Sequence, residues 1–230
     1  MKKNKGTYII LSEKQWNNRL AKFLSEKFNE FTWVLVNKRE DFNVSNLNII
    51  GPLKIFIPHW SYIIPDEIFE KYECVVFHMT DLPYGRGGSP LQNLIVLGKE
   101  QTKVSALKVV KELDAGPIYL KKELSLSGTA EEIFIKSNSI IELMIIEIIE
   151  NNLEPKEQEG VVVHFKRRKA KDSDISNLKE LKDVYDHIRM LDADGYPKAF
   201  IENEFFRFEF FASKLQANGE IKADVRIIKK

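Results

Sequence analysis

"FHMTDLPYGRGGSPLQNLI", residues 77–95, carries the chain from the end of one apolar run to the start of the next through a passage dense in turn residues and polar groups. His78 closes the run that begins at Cys74. Asp81, Pro83, Gly85, Arg86, Gly87, Gly88 and Pro90 follow before Leu91 restores apolar texture. Upstream, the short apolar runs Tyr8–Leu11, Thr32–Val36, Leu53–Ile57 and Cys74–Phe77 alternate with helical patterns. Continuous runs of this length, spaced in this way, predict a parallel sheet covered on both faces. In an open parallel sheet ligands bind outside the carboxyl ends of the strands, where the quoted stretch begins. The expected fold class is therefore α/β, with a Rossmann-like, mostly parallel sheet.

Helix signals fill the gaps. Ser12 with Gln15 has the form of a capping box, opening a helix to about Phe28 with Trp16, Leu20, Phe23, Leu24 and Lys27 at helical spacing. Pro65 suits the first residue of a short helix, "DEIFEKY". Thr129 with Glu132 forms a second capping box ahead of a helix to about Asn151. Ile133, Ile140, Ile141, Met144, Ile145 and Ile148 make that helix apolar around much of its circumference, as a buried helix requires.

From about Pro155 the texture changes. "PKEQEG" reads as a turn-rich connection, "VVVHF" as a short strand and "FKRRKAKDSDIS" as a charged passage unfit for a core. Leu178–Leu191 has a helical period, while "FFRFEFFASKL" and "IKADVRII" alternate like antiparallel strands. The expectation is an α/β body over residues 1–155 and a small C-terminal α+β appendage over 156–230.

The 230 residues are 43% apolar and 30% charged, a globular composition. The 35 basic and 34 acidic side chains leave a net charge of +1, so no global field draws the chain to nucleic acid or to a membrane. The apolar run at Tyr8–Leu11 is too short for a signal peptide, and no run of 18 apolar residues occurs. Cys74 is the only cysteine, which excludes a disulfide framework and a cysteine zinc site and fits a reducing, cytoplasmic compartment. Neither phosphate-binding glycine pattern follows the first strand, so a dinucleotide is not expected. No metal is expected either.

His78 reads as either a hydrogen-bonded strand-terminal residue or a catalytic base. Asp114, in "VVKELDAGPIYL", reads as either a turn-former or the partner of that base. If the two meet, the carboxylate orients the imidazole and favours its protonated form, which suits a base that takes a proton from an amine. Sequence spacing alone does not bring them together.

Residues 76–118 resemble the core of the 10-formyltetrahydrofolate-dependent formyltransferases. In that family a strand ends in Asn-x-His-x-Ser-Leu-Leu-Pro, followed by Arg-Gly-x-x-Pro, Thr-Gly-Val-Thr and Asp-x-Gly-x-Ile. This chain has His78, Thr80, Leu82-Pro83, Arg86-Gly87, Pro90, Val104-Ser105 and Asp114-Ala115-Gly116-Pro117-Ile118 in the same order. The resemblance implies formyl transfer from 10-formyltetrahydrofolate to a primary amine, with His78 as general base and Asp114 orienting it. It also implies a folate pocket shaped by Leu82, Pro83, Leu113 and Asp114. In the family, an asparagine two residues before the histidine helps to hold the tetrahedral oxyanion. Here that place is Val76. His59, Asn93 and Thr80 are the candidate replacements, with His59 first.

"HFKRRKAKDSDIS" and "YDHIRMLDADGYPKAF" look like the C-terminal segment of sugar N-formyltransferases, and the form of residues 77–94 resembles enzymes acting on a UDP-linked 4-amino-4,6-dideoxy sugar in pseudaminic acid synthesis. This reading makes a nucleotide-linked amino sugar the acceptor, with no nucleic acid or membrane partner, and leaves a homodimer open. Arg86 would then pair with a phosphate or carboxylate, or else serve its own loop. Trp60 and Tyr84 would stack on a ring, or else pack in the core. Thr80, Gln92 and Asn93 would meet the acceptor's polar groups. The alternatives are a methionyl-tRNA formyltransferase and a catalytically impaired relative that binds folate or a nucleotide sugar.

Overall fold

The computed structural model describes residues 4–15 and 17–230; Trp16, expected on the first helix, lies outside them. In chain order the first elements are β1 (Thr7–Leu11), α1 (Asn17–Lys27), β2 (Thr32–Val36), α2 (Val44–Ile50), β3 (Pro52–Ile57) and α3 (Asp66–Phe69). Next come β4 (Cys74–His78), β5 (Tyr84–Gly87), α4 (Pro90–Val96), β6 (Gln101–Lys108), β7 (Ile118–Ser125) and α5 (Ala130–Glu150). The chain ends through β8 (Val163–Phe165), α6 (Leu181–Arg189), β9 (Ala199–Glu202), β10 (Phe206–Leu215) and β11 (Ile221–Lys229).

Two compact units form. One takes the chain up to Arg86 with Lys103–Lys122 and Asn138–Val163; the other takes Gly87–Thr102, Glu123–Ser137 and His164–Lys230. The change of texture near Pro155 falls within the last stretch of the first unit.

The first unit holds the mixed sheet, ordered β2-β1-β3-β4-β6-β7. β1 runs parallel to β2 and β3, and β3 parallel to β4, while β6 joins β4 antiparallel. This is the mostly parallel sheet that the apolar runs predict, extended by β6 and by β7, the strand that starts directly after Asp114-Ala115-Gly116-Pro117. Ile9, Leu11, Val36, Leu47, Ile55, Ile57, Ile68 and Cys74 form one buried cluster on it. Continuous burial over Tyr8–Leu11 in β1 and Ile55–Ile57 in β3 explains why these stretches read as unbroken apolar runs rather than alternating ones.

The first helix begins later than expected. Among the described residues the Ser12 hydroxyl accepts from the Lys14 N–H at 3.3 Å and from Asn17 Nδ2 at 2.7 Å, so it shapes the turn out of β1. Pro65 stands just outside α3, at its N-cap.

In the second unit the expected capping box at Thr129 is present. The Thr129 N–H donates to Glu132 Oε2 at 2.9 Å, and the Glu132 N–H donates to Thr129 Oγ1 at 3.3 Å. The C-terminal strands form an antiparallel sheet ordered β11-β10-β9, with α6 shorter at both ends than its apolar period suggested. Among the described residues no helix is long and apolar enough to cross a membrane.

Candidate active site

β4 delivers His78 as its last residue, buried at the carboxyl end of the parallel strands. The chain then turns through a cis Leu82–Pro83 bond and returns as β5. Ser105, opposite His78 on β6, ties this turn down. Its hydroxyl donates to the Thr80 carbonyl at 2.7 Å and accepts from the Leu82 N–H at 3.4 Å. Asp81 adds ion pairs to Lys103 at 3.0 Å and Lys121 at 2.6 Å.

The turn returns the Gly85 carbonyl to within 2.8 Å of His78 Nε2. A carbonyl oxygen can only accept, so Nε2 carries the proton and donates. In the neutral imidazole this leaves the lone pair on Nδ1. That nitrogen faces Asp114 Oδ2 at 3.7 Å, with both side chains about nine-tenths buried.

Asp114 reaches this position from a strained turn between β6 and β7, with φ at +54°. Aspartate and asparagine tolerate that left-handed region better than other side-chain-bearing residues. Gly116 fixes the far side: a Cβ there would stand 1.7 Å from the Lys108 carbonyl oxygen, so only glycine allows this approach.

Other expected residues fall into distinct surroundings. Thr80 is fully buried, and its hydroxyl donates to the Gly85 carbonyl at 3.4 Å. Leu82 and Pro83 are buried, whereas Leu113 is 54% exposed immediately before Asp114. Tyr84 is half-buried on β5. Trp60 packs edge-on against Phe42 and Tyr62, as a core aromatic does. Arg86 is 8% exposed, and its guanidinium is engaged by Gln158 and Glu112.

Gln92 and Asn93 lie on α4 in the second unit. Gln92 Nε2 donates to the Met190 carbonyl at 3.2 Å. Asn93 Nδ2 lies within 3.0 Å of the carbonyls of Gly88, Ser89 and Lys166.

Val76 pairs with Ile57 on β3 and Leu107 on β6 and packs against the buried cluster. His59 follows that same Ile57 by two residues, with φ at +54°. Burial, and then the positive charge of Lys14, push its imidazole down to about 4. At neutral pH His59 is uncharged and keeps one ring N–H. Among the described residues no cluster of three or more His, Cys, Asp or Glu side chains is arranged to hold a metal.

Gln158 escaped the sequence reading. It sits in "PKEQEG", where one carboxamide among charged residues carries no local signal, yet its side chain spans from Arg86 to the Asp114 turn. Only the pairing of Lys156 with Ile118, a contact between distant segments, reveals it.

A histidine whose Nδ1 faces a carboxylate at the carboxyl edge of such a sheet is an arrangement chemically able to take up and return a proton, on an α/β scaffold. Its place among known proteins is clear from comparison. A solved methionyl-tRNA formyltransferase from Clostridium thermocellum is 45% identical, superposes with a TM-score of 0.94, and the match covers 98% of this chain and all of that one. The chain belongs to the formyltransferase family.

The family described as methionyl-tRNA formyltransferase, C-terminal domain, matches residues 170–228. The methionyl-tRNA formyltransferase of Thermotoga maritima is 30% identical over 177 residues, covering 73% of this chain. The chain spans only 56% of that relative's length. A sugar N-formyltransferase from Shewanella shares the fold, with a TM-score of 0.66 at 15% identity over 95% of this chain and 96% of that one. The formyl donor of the family is 10-formyltetrahydrofolate.

Proposed function

We propose that this chain transfers the formyl group of 10-formyltetrahydrofolate to a primary amine, with His78 as general base and Asp114 as its countercharge. The observation that carries the reading is the fixed imidazole: Gly85 occupies Nε2–H and leaves Nδ1 free beside a buried carboxylate. The residues suit such a donor. The base and carboxylate match the proton lost by an attacking amine, and exposed Leu113 gives apolar surface beside them for a planar ring.

The donor supplies an acylated nitrogen that can leave. As the amine adds to the formyl carbon, His78 Nδ1 takes its proton and becomes an imidazolium paired with Asp114. On collapse of the tetrahedral adduct, His78 returns that proton to the departing nitrogen, and the products are a formamide and tetrahydrofolate. His59 donates its ring N–H to the oxyanion in place of the family's asparagine. Thr80 is turned to Gly85, and the Asn93 amide is committed to three carbonyls.

For the acceptor, the names of the Clostridium and Thermotoga relatives support the amine of methionyl-tRNA as the first reading. An amine on a nucleotide-linked dideoxy sugar is the second, favoured by the net charge of +1. The test is incubation with 10-formyltetrahydrofolate and, separately, methionyl-tRNA or UDP- and dTDP-linked amino sugars, with products read by mass spectrometry. A formylated product is expected. Folate binding without any product would support the impaired-relative alternative instead.

A further inference from the structure

Lys156 pairs antiparallel with Ile118: the Lys156 N–H donates to the Ile118 carbonyl at 2.9 Å, and the Ile118 N–H donates to the Lys156 carbonyl at 2.7 Å. Two residues onward this register sets Gln158 beside Gly116. There its carboxamide replaces the next ladder bonds. Nε2 donates to the carbonyls of Asp114 and Gly116, both at 2.8 Å. Oε1 accepts from Arg86 Nε at 3.2 Å and Nη2 at 3.0 Å. The two carbonyls require the NH2 group and the guanidinium requires the oxygen, so the orientation of the amide is determined.

Arg86 completes the brace. Its Nη1 meets Glu112 Oε1 at 3.1 Å, on the same turn as Asp114. Its neighbour Gly85 holds the imidazole. The contacts run from His78 to Gly85, through the chain to Arg86, across Gln158 to Asp114, and close on His78 at 3.7 Å. With two donors and two accepted bonds, the Gln158 carboxamide is fully used and offers nothing to a ligand.

We propose that Arg86 and Gln158 form a strut that sets the separation of Asp114 from His78, so that both are positioning residues for proton transfer rather than substrate contacts. The proposal rests on the reading of His78 as base. It assigns Arg86 a different task from the acceptor phosphate or carboxylate suggested by its sequence position. A change of about 1 Å in catalytic geometry costs roughly a hundredfold in rate, which gives the strut its leverage.

Two variants test it. Gln158→Leu removes all four hydrogen bonds at similar volume. Arg86→Lys keeps the charge facing Glu112 and loses the fork onto Gln158. Each is expected to lower kcat roughly ten- to a hundredfold, with KM for donor and acceptor within about twofold. The double variant is expected to lose little more than either single one, because the two act as a unit. Unchanged kcat in both, or a raised KM with intact kcat in Arg86→Lys, overturns the proposal; the latter would make Arg86 a substrate contact.

Imidazole nitrogen NMR of the free protein gives a readout that needs no turnover. The His78 ring resonances are expected to move in both variants. Ring resonances that coincide with those of the unaltered protein would overturn the strut even if no formyl transfer is found. Absence of formyl transfer with moved resonances would count against the proposed reaction alone. If Gln158→Leu fails to fold, Arg86→Lys carries both measurements.

Discussion

His78 Nδ1 stands 3.7 Å from Asp114 Oδ2, a separation that suits an ion pair and is too long for a hydrogen bond. With Nε2–H bound to Gly85, the neutral imidazole has no proton to give Asp114. In the proposed reaction the carboxylate therefore acts on the imidazolium that His78 becomes.

Asp114→Asn should remove this attraction while leaving the turn intact, because asparagine also tolerates φ of +54°. The expected result is a fall in kcat/KM of roughly a hundredfold or more, the scale of a lost contribution to general acid–base catalysis, with little change in thermal midpoint. Steady-state kinetics beside a thermal melt will decide it. Activity within twofold of the unaltered protein would remove Asp114 from the mechanism.

His59 supports a second prediction. If its neutral N–H holds the oxyanion, His59→Asn should lower kcat roughly a hundred- to a thousandfold, the usual cost of one lost oxyanion donor. Adding Val76→Asn should recover part of the loss by restoring a carboxamide to the adjacent strand, where Val76 pairs with Ile57. Full activity in the single variant would show that another group carries the oxyanion.

Much of this site was legible from local chemistry, and the rest was not for physical reasons. His78 at a strand end and the reciprocal bonds of Thr129 and Glu132 follow from short-range pattern. Ser12 has the same capping pattern, but its hydroxyl was captured by Lys14 and Asn17 before a helix could use it. Arg86 and Gln158 are 72 residues apart, and their meeting depends on the pairing of Ile118 with Lys156. Sequence spacing cannot disclose a partnership set by such a crossing.

Stability should depend on pH through His59. Burial, then Lys14, hold its imidazole down to about 4, against about 6.5 when unfolded. Below about pH 6.5 the unfolded chain therefore binds the proton more readily. The stabilisation is complete above that pH, declines as pH falls toward about 4, and reaches at most roughly 3 kcal/mol. His187, lowered chiefly by burial, adds in the same direction. Urea midpoints near about pH 5 and about pH 7.5 should separate less in His59→Asn than in the unaltered protein. An equal separation would mean that His59 is not held neutral by the fold.

The two acceptor readings differ in their response to salt. An RNA acceptor is grasped by its phosphates, and each phosphate neutralised contributes a slope of about −0.7 to −0.9 in log affinity against log salt. Three such contacts would lower kcat/KM roughly twenty- to fortyfold for a fourfold rise in salt. A nucleotide-linked sugar brings only two bridging phosphates and no polyanionic counterion atmosphere, so its dependence should be shallow. The charge balance of 35 basic to 34 acidic residues means that a tRNA site must be a local basic patch, not a global field. With methionyl-tRNA as acceptor, a steep salt dependence of kcat/KM while KM for 10-formyltetrahydrofolate stays level is the expected result. A flat profile with methionyl-tRNA, together with faster formylation of an amino sugar, would move the assignment to the sugar.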